Sequence, residues 1–205
     1  MMAHRTFLFA GWIRLWHWCN LLFFLGLTLS GLILHFSPPK VGILDYNLAQ
    51  RIHNIFGVAL AVSYLFFVVA NFATGNWKQF VPRFSGFLGQ AIRQTRYYLF
   101  DIFFGRPAPF PTTAEDHFNP LQKLIYLIVM YVMMPVLIIT GLMYLWPEMA
   151  PDRLFGLDGL LPVAMLHYIV AYLLILFMCA HVYLCTCGSS ITAHFKAMIT
   201  GWHEE

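Results

Sequence analysis

The chain predicts an all-α integral membrane protein, a four-helix bundle, and three observations carry that expectation: composition, four long apolar runs, and the distribution of Lys and Arg. Its 205 residues are 60% hydrophobic and 10% charged, and the mean hydropathy is +0.69. Soluble domains run at about 45–50% apolar and about 25% charged residues. A helix of about 20 predominantly apolar residues crosses the hydrocarbon core, and four segments qualify: about 14–35, 51–73, 121–146 and 161–187. They leave residues 1–205 as a single membrane domain.

The first run opens with "RLWHWCN" and continues "LLFFLGLTLSGLIL". It is too long for a signal-peptide core and no small-residue cleavage site follows, so it is expected to be a retained helix. The link from Phe36 to Gln50 begins with the turn "SPPK". Between spans two and three, residues 74–119 are long enough for more than a turn. There "FLGQAIRQTRYYLFDIFF" places Leu88, Ala91, Ile92, Thr95, Leu99, Ile102 and Phe103 at helical spacing on one side, with Gln90, Arg93, Gln94 and Arg96 mainly on the other. A helix lying in the headgroup region fits that pattern, as does an amphipathic cover for the bundle. Pro135 is expected to kink span three. The second outer link, "WPEMAPDRLFGLDGLLP", is rich in Pro and Gly. Cys19, Cys179, Cys185 and Cys187 sit within spans or at their inner ends, so no disulfide is expected. "CTC" is not a CxxCH tether for covalent haem.

Orientation follows the excess of Lys and Arg near span ends. Lys78, Arg83, Arg93, Arg96, Arg106 and Lys123 flank the link between spans two and three, and Arg5, Arg14 and Lys196 lie toward the termini. The other face holds Lys40, Arg51 and Arg153, diluted by Asp45, Glu148, Asp152 and Asp158. Both termini are therefore expected in the cytoplasm, as in a multi-pass protein of the bacterial cytoplasmic (inner) membrane. The net charge of +3 is accounted for by topology and gives no reason to expect nucleic-acid binding.

An internal echo links "LTLSGLIL" in span one with "IITGLMYL" in span three, each a hydroxyl followed by a glycine. Gly31 and Gly141 have two readings: close helix contact, or room for a flat cofactor.

Ionisable side chains inside a membrane are expensive and mark function by default. Of nine histidines, His4 and His203 are near the termini, His35 ends a span, and His117 and His194 lie at the inner boundary; these five read as solvated or interfacial. His17, His53, His167 and His181 remain. His167 and His181 are fourteen residues apart in one helix, which turns them to the same side with a rise of roughly 21 Å. Span one runs outward from His17, setting it at the depth of His181. Span two runs inward from His53, setting it at the depth of His167. Two pairs of neutral imidazoles at two depths suit two haem irons with both axial positions filled, an arrangement for electron transfer. Zinc would want four ligands together.

"RLWHW", "RIHNIFG", "FNPLQKLIY" and "LHYIVAYLLILFMCAHVYL" resemble the di-haem cytochrome b subunits of membrane-bound formate dehydrogenases (the gamma subunit), nickel-iron hydrogenases and thiosulfate reductases, over all four helices. The resemblance implies two haems b on the same pairing: His17 with His181 on the cytoplasmic side, His53 with His167 on the periplasmic side. It also implies a quinone site (menaquinone or ubiquinone) at "NPLQK", with Asn119, Gln122 and Lys123 as candidates. The implied partners are an iron-sulfur subunit and an extracytoplasmic catalytic subunit, which would leave this chain as the electron-transfer subunit of an oxidoreductase. Asn119 followed by Pro120 also reads as a helix cap. Arg14 and Arg51 are candidates for haem propionates or for lipid-headgroup anchors. Two other functions compete: a stand-alone di-haem cytochrome b oxidising a small molecule such as superoxide, and a transporter or proton channel using histidine relays.

Overall fold

The computed structural model describes residues 5–36, 45–82, 85–113, 115–188 and 190–204. The "SPPK" turn with Lys40, and His4 and Arg83, lie outside the described residues. Helix α1 spans Gly11–Phe36, α2 Tyr46–Ala73, α3 Phe87–Leu99, α4 Pro120–Ile128, α5 Met134–Leu145, α6 Leu160–Cys185 and α7 Ala193–Thr200. Four helices are long and apolar enough to cross a membrane: α1, α2, the continuous run Pro120–Leu145, and α6. The protein is thus all-α, with four long helices suited to a membrane bundle. Their outer faces carry exposed apolar side chains such as Leu15, Val62 and Leu176, which only a lipid environment satisfies over such lengths.

Span three changes its hydrogen-bond ladder where Pro135 was expected to kink it. Residues Val129–Met133 form a π-helical turn between α4 and α5. Proline lacks an N–H and crowds the carbonyl four residues back, and the wider turn just before it absorbs both defects.

The chain divides into two compact units. One comprises Leu15–Val69 and Met133–Met178 and is called here the His53 unit. Its helices α1 and α2 approach closely because Gly26 has no side chain: a Cβ there would overlap the Phe56 ring. Trp16 stacks on Phe67 with centroids 4.2 Å apart and donates from Nε1 to the Ser63 carbonyl at 3.1 Å. Leu60, Phe67 and Leu174 are fully buried. The Pro- and Gly-rich link folds into a two-residue hairpin pairing β2 (Arg153–Leu154) with β3 (Leu157–Asp158). Phe155 and Gly156 both take positive φ, 54° and 80°, as a tight turn matched to strand twist demands.

The other, the His181 unit, gathers the N-terminal residues through Arg14, Ala70–Val132, and the C-terminal residues from Cys179. Near the two termini, β1 (Arg5–Phe7) and β4 (Trp202–Glu204) form an antiparallel pair with Thr6 opposite His203. Arg14 Nη1 donates to the Ile199 carbonyl at 2.6 Å, tying α1 to α7. His203, expected to be solvated, is buried, because the strand pair turns it inward to stack on His194 with centroids 5.7 Å apart and planes 11° apart.

Helix α3 exposes most of both its apolar and its basic side chains. Leu88, Ile92 and Leu99 are exposed, whereas Gln94 is buried. Arg93 and Arg96 are exposed beside these apolar residues, a mixed outer face that fits a helix in the headgroup region.

Candidate haem site

Within the His53 unit, His53 on α2 and His167 on α6 face one another with ring centroids 6.4 Å apart and planes crossed at 70°. Two neutral imidazoles facing each other from neighbouring helices are the donor set that haem iron takes. A cavity of about 390 Å³ adjoins both rings and is lined by Gly31, Gly57, Gly141, Leu137 and Leu142, with Tyr46, Gln50, Asn54, Tyr168 and Tyr172 among its polar residues. That is an apolar pocket with a few polar groups, within the roughly 300–1,000 Å³ of ligand sites. The donor set and the pocket fit haem.

Each histidine is served by the helix beside it. Ser30 Oγ lies 3.0 Å from His53 Nδ1, and Thr140 Oγ1 lies 3.0 Å from His167 Nδ1. A Cβ on Gly31 would come within 3.2 Å of His53 Cε1, and a Cβ on Gly141 within 3.2 Å of His167 Cε1. The glycines make room for the imidazoles themselves, an option that neither sequence reading contained. The "SG" and "TG" echo was visible in the sequence, but its hydroxyls were not assigned a task. His35, set aside as a span-end residue, lines the same cavity, with Tyr168 and Tyr172 centroids at 4.9 and 5.9 Å.

In the His181 unit, His181 Nδ1 faces Tyr126 Oη at 3.4 Å, and Cys185 Sγ lies 3.9 Å from Nε2. His17, in the His53 unit, lies edge-on to Trp18 at 5.2 Å. Asn119 and Gln122 form a capping box: Asn119 Oδ1 accepts from Gln122 N at 2.9 Å, and Gln122 Oε1 accepts from Asn119 N at 3.1 Å. Asn119 Nδ2 donates to Tyr98 Oη at 2.8 Å. Lys123 is buried and ion-paired with Asp116. Burial pushes the Tyr98 phenol above its usual range, opposed by hydrogen bonds from Asn119 and Gln94. Arg14 is committed to Ile199, while Arg51 is exposed and not among the cavity-lining residues.

Four membrane-length helices holding two facing histidines across an apolar pocket define a membrane cytochrome b. The chain belongs to the prokaryotic cytochrome b561 family, whose model matches residues 8–201, and the family's members bind haem b and transfer electrons in bacterial membranes. It is 38% identical over 201 residues to a protein of Escherichia coli (strain K12) named "Putative cytochrome YdhU", covering 98% of this chain and 76% of that one.

Proposed function

We propose that this chain is a di-haem cytochrome b subunit of the cytoplasmic membrane that carries electrons between an extracytoplasmic iron-sulfur and catalytic partner and the quinone pool. The observation that carries this reading is the facing His53–His167 pair beside an apolar cavity. When bound, haem b supplies a one-electron redox centre within the apolar layer. His53 and His167 would hold one such group on the periplasmic side. Gly31 and Gly141 seat their rings, and Leu137 and Leu142 exclude water. His17 and His181 would hold the second on the cytoplasmic side, an assignment that rests on span direction and helical periodicity.

Quinone exchange requires both hydrogen-bonding groups and a proton source. The "NPLQK" segment places Lys123 beside Asp116, and Asn119 next to Tyr98. The capping duty of Asn119 and Gln122 means that a quinone role is shared with helix initiation. Gln94, which the helical spacing sets opposite the apolar side of α3, is buried with Oε1 lacking a hydrogen-bond partner among the described residues. That buried acceptor next to the Tyr98 phenol suits a hydroquinone O–H.

A pyridine haemochrome assay on the purified chain should give about two non-covalent haems per polypeptide, and one or none would overturn the pairing. Copurification with an iron-sulfur subunit separates the complex from a stand-alone cytochrome. Asn119→Ala with Gln122→Ala should slow quinone-linked reduction or oxidation while both haem spectra persist. A cytoplasm-specific fluorescent reporter after Glu205 should light up if the termini face the cytoplasm.

A further inference from the structure

The two histidines of the His53 unit are held by the same device twice. Ser30 Oγ donates its single hydrogen to the Gly26 carbonyl at 2.6 Å, and Thr140 Oγ1 donates to the Val136 carbonyl at 2.7 Å. These are back-bonds to the residue four positions earlier, the usual way a hydroxyl is satisfied inside a helix. An oxygen whose hydrogen stays on that carbonyl meets the Nδ1 3.0 Å away as an acceptor, and the tautomer with the proton on Nδ1 leaves Nε2 its lone pair.

We infer that Ser30 and Thr140 are positioning residues for the haem ligated by His53 and His167: each accepts the Nδ1–H of its imidazole, fixes the tautomer that bares Nε2, and holds the two ring planes crossed. The inference rests on the ligation proposed above. A metal-bound histidine whose other N–H meets an acceptor is a better electron donor to the metal. Each hydroxyl therefore stabilises the oxidised iron and lowers the midpoint potential. The neighbouring glycine completes the unit, because the missing Cβ at Gly31 or Gly141 lets the ring edge come close enough for the hydroxyl to reach it.

The test uses the full chain with Ser30→Ala, Thr140→Ala and the double variant, and with Ser30→Thr and Thr140→Ser as exchanges that keep the hydroxyl. Redox titration and low-temperature electron paramagnetic resonance follow each haem separately. One haem should shift to higher potential in each alanine variant and further in the double. Its resonance should move, the other haem should stay unchanged, and the exchange variants should return toward wild type. Loss of that haem from the alanine variants but not from the exchanges is the same result in stronger form. Potentials and resonances that superimpose on wild type in all the alanine variants would overturn the inference and reduce the hydroxyls to helix back-bonds. His53→Ala and His167→Ala serve as controls. If either retains both haems, the ligation reading itself fails; if both lose one haem while the alanine variants do not shift, only the present inference fails.

Discussion

In the His53 unit, His53 and His167 each meet one hydroxyl that is back-bonded to its own helix, Ser30 and Thr140. In the His181 unit, the histidine meets a phenol at 3.4 Å and a thiol at 3.9 Å, groups that can donate or accept. The first environment favours the proton on Nδ1; the second suits either tautomer. The surroundings differ in the same sense. The His53 unit presents an apolar cavity lined by glycines and leucines, whereas the His181 unit contains the Lys123–Asp116 ion pair and the Asn119–Tyr98–Gln94 group. The function proposed above would use the first as a dry redox site and the second for proton-coupled chemistry.

The sharpest way to break this contrast is to remove a ligand. His53→Ala or His167→Ala should abolish one whole haem per chain and leave the other, measured by haemochrome content. Retention of both would show that the rigid site is not a ligand site.

A smaller effect is expected at the ion pair. Asp116→Asn leaves the buried Lys123 ammonium without its carboxylate and should lower stability by about 1–3 kcal/mol, the partial exposure of Asp116 softening the usual loss for a broken buried pair. Lys123→Met removes the buried charge itself and should cost less. Thermal denaturation of the two variants in the same detergent decides; an equal loss would mean that the pair acts only at the surface.

Smaller again is the cap. Asn119→Ala removes one half of the capping box and should cost about 1 kcal/mol, seen as a drop of a few degrees in Tm. If quinone kinetics also slow while Tm barely moves, Asn119 serves the quinone more than the helix.

The least effect concerns His194. Burial, then the charges of His203 and His181, holds its pKa below the usual histidine range. A folded-state pKa lowered in this way means that the unfolded chain binds more protons, so stability is full above about pH 6.5 and falls as the pH drops below it. His194→Gln should flatten the decline in Tm between about pH 6.5 and 5. An unchanged slope would place the acid sensitivity elsewhere.

Much of the site was legible in the sequence, and the reason differs residue by residue. His53 and His167 could be matched because span direction and the rise per residue fix depth in a bilayer. Asn119 and Gln122 were legible as a cap because Asn followed by Pro is a local signal, and the capping box is a local structure. His203 was misread, since its burial depends on pairing with the other end of the chain. The face of α3 that meets the protein was undecided by periodicity, because an amphipathic helix reads alike whether its apolar side meets lipid or protein.

Span count and the match of His53 with His167 were legible in the sequence, since hydropathy and rise are properties of position along a helix axis. Rotation about that axis was not. That Ser30 meets His53 and Thr140 meets His167, rather than each hydroxyl facing lipid, depends on how closely and at what angle neighbouring helices pack. The close approach of α1 and α2 is set by contacts such as Gly26 against Phe56, which join residues thirty positions apart, and only the tertiary structure brings them together.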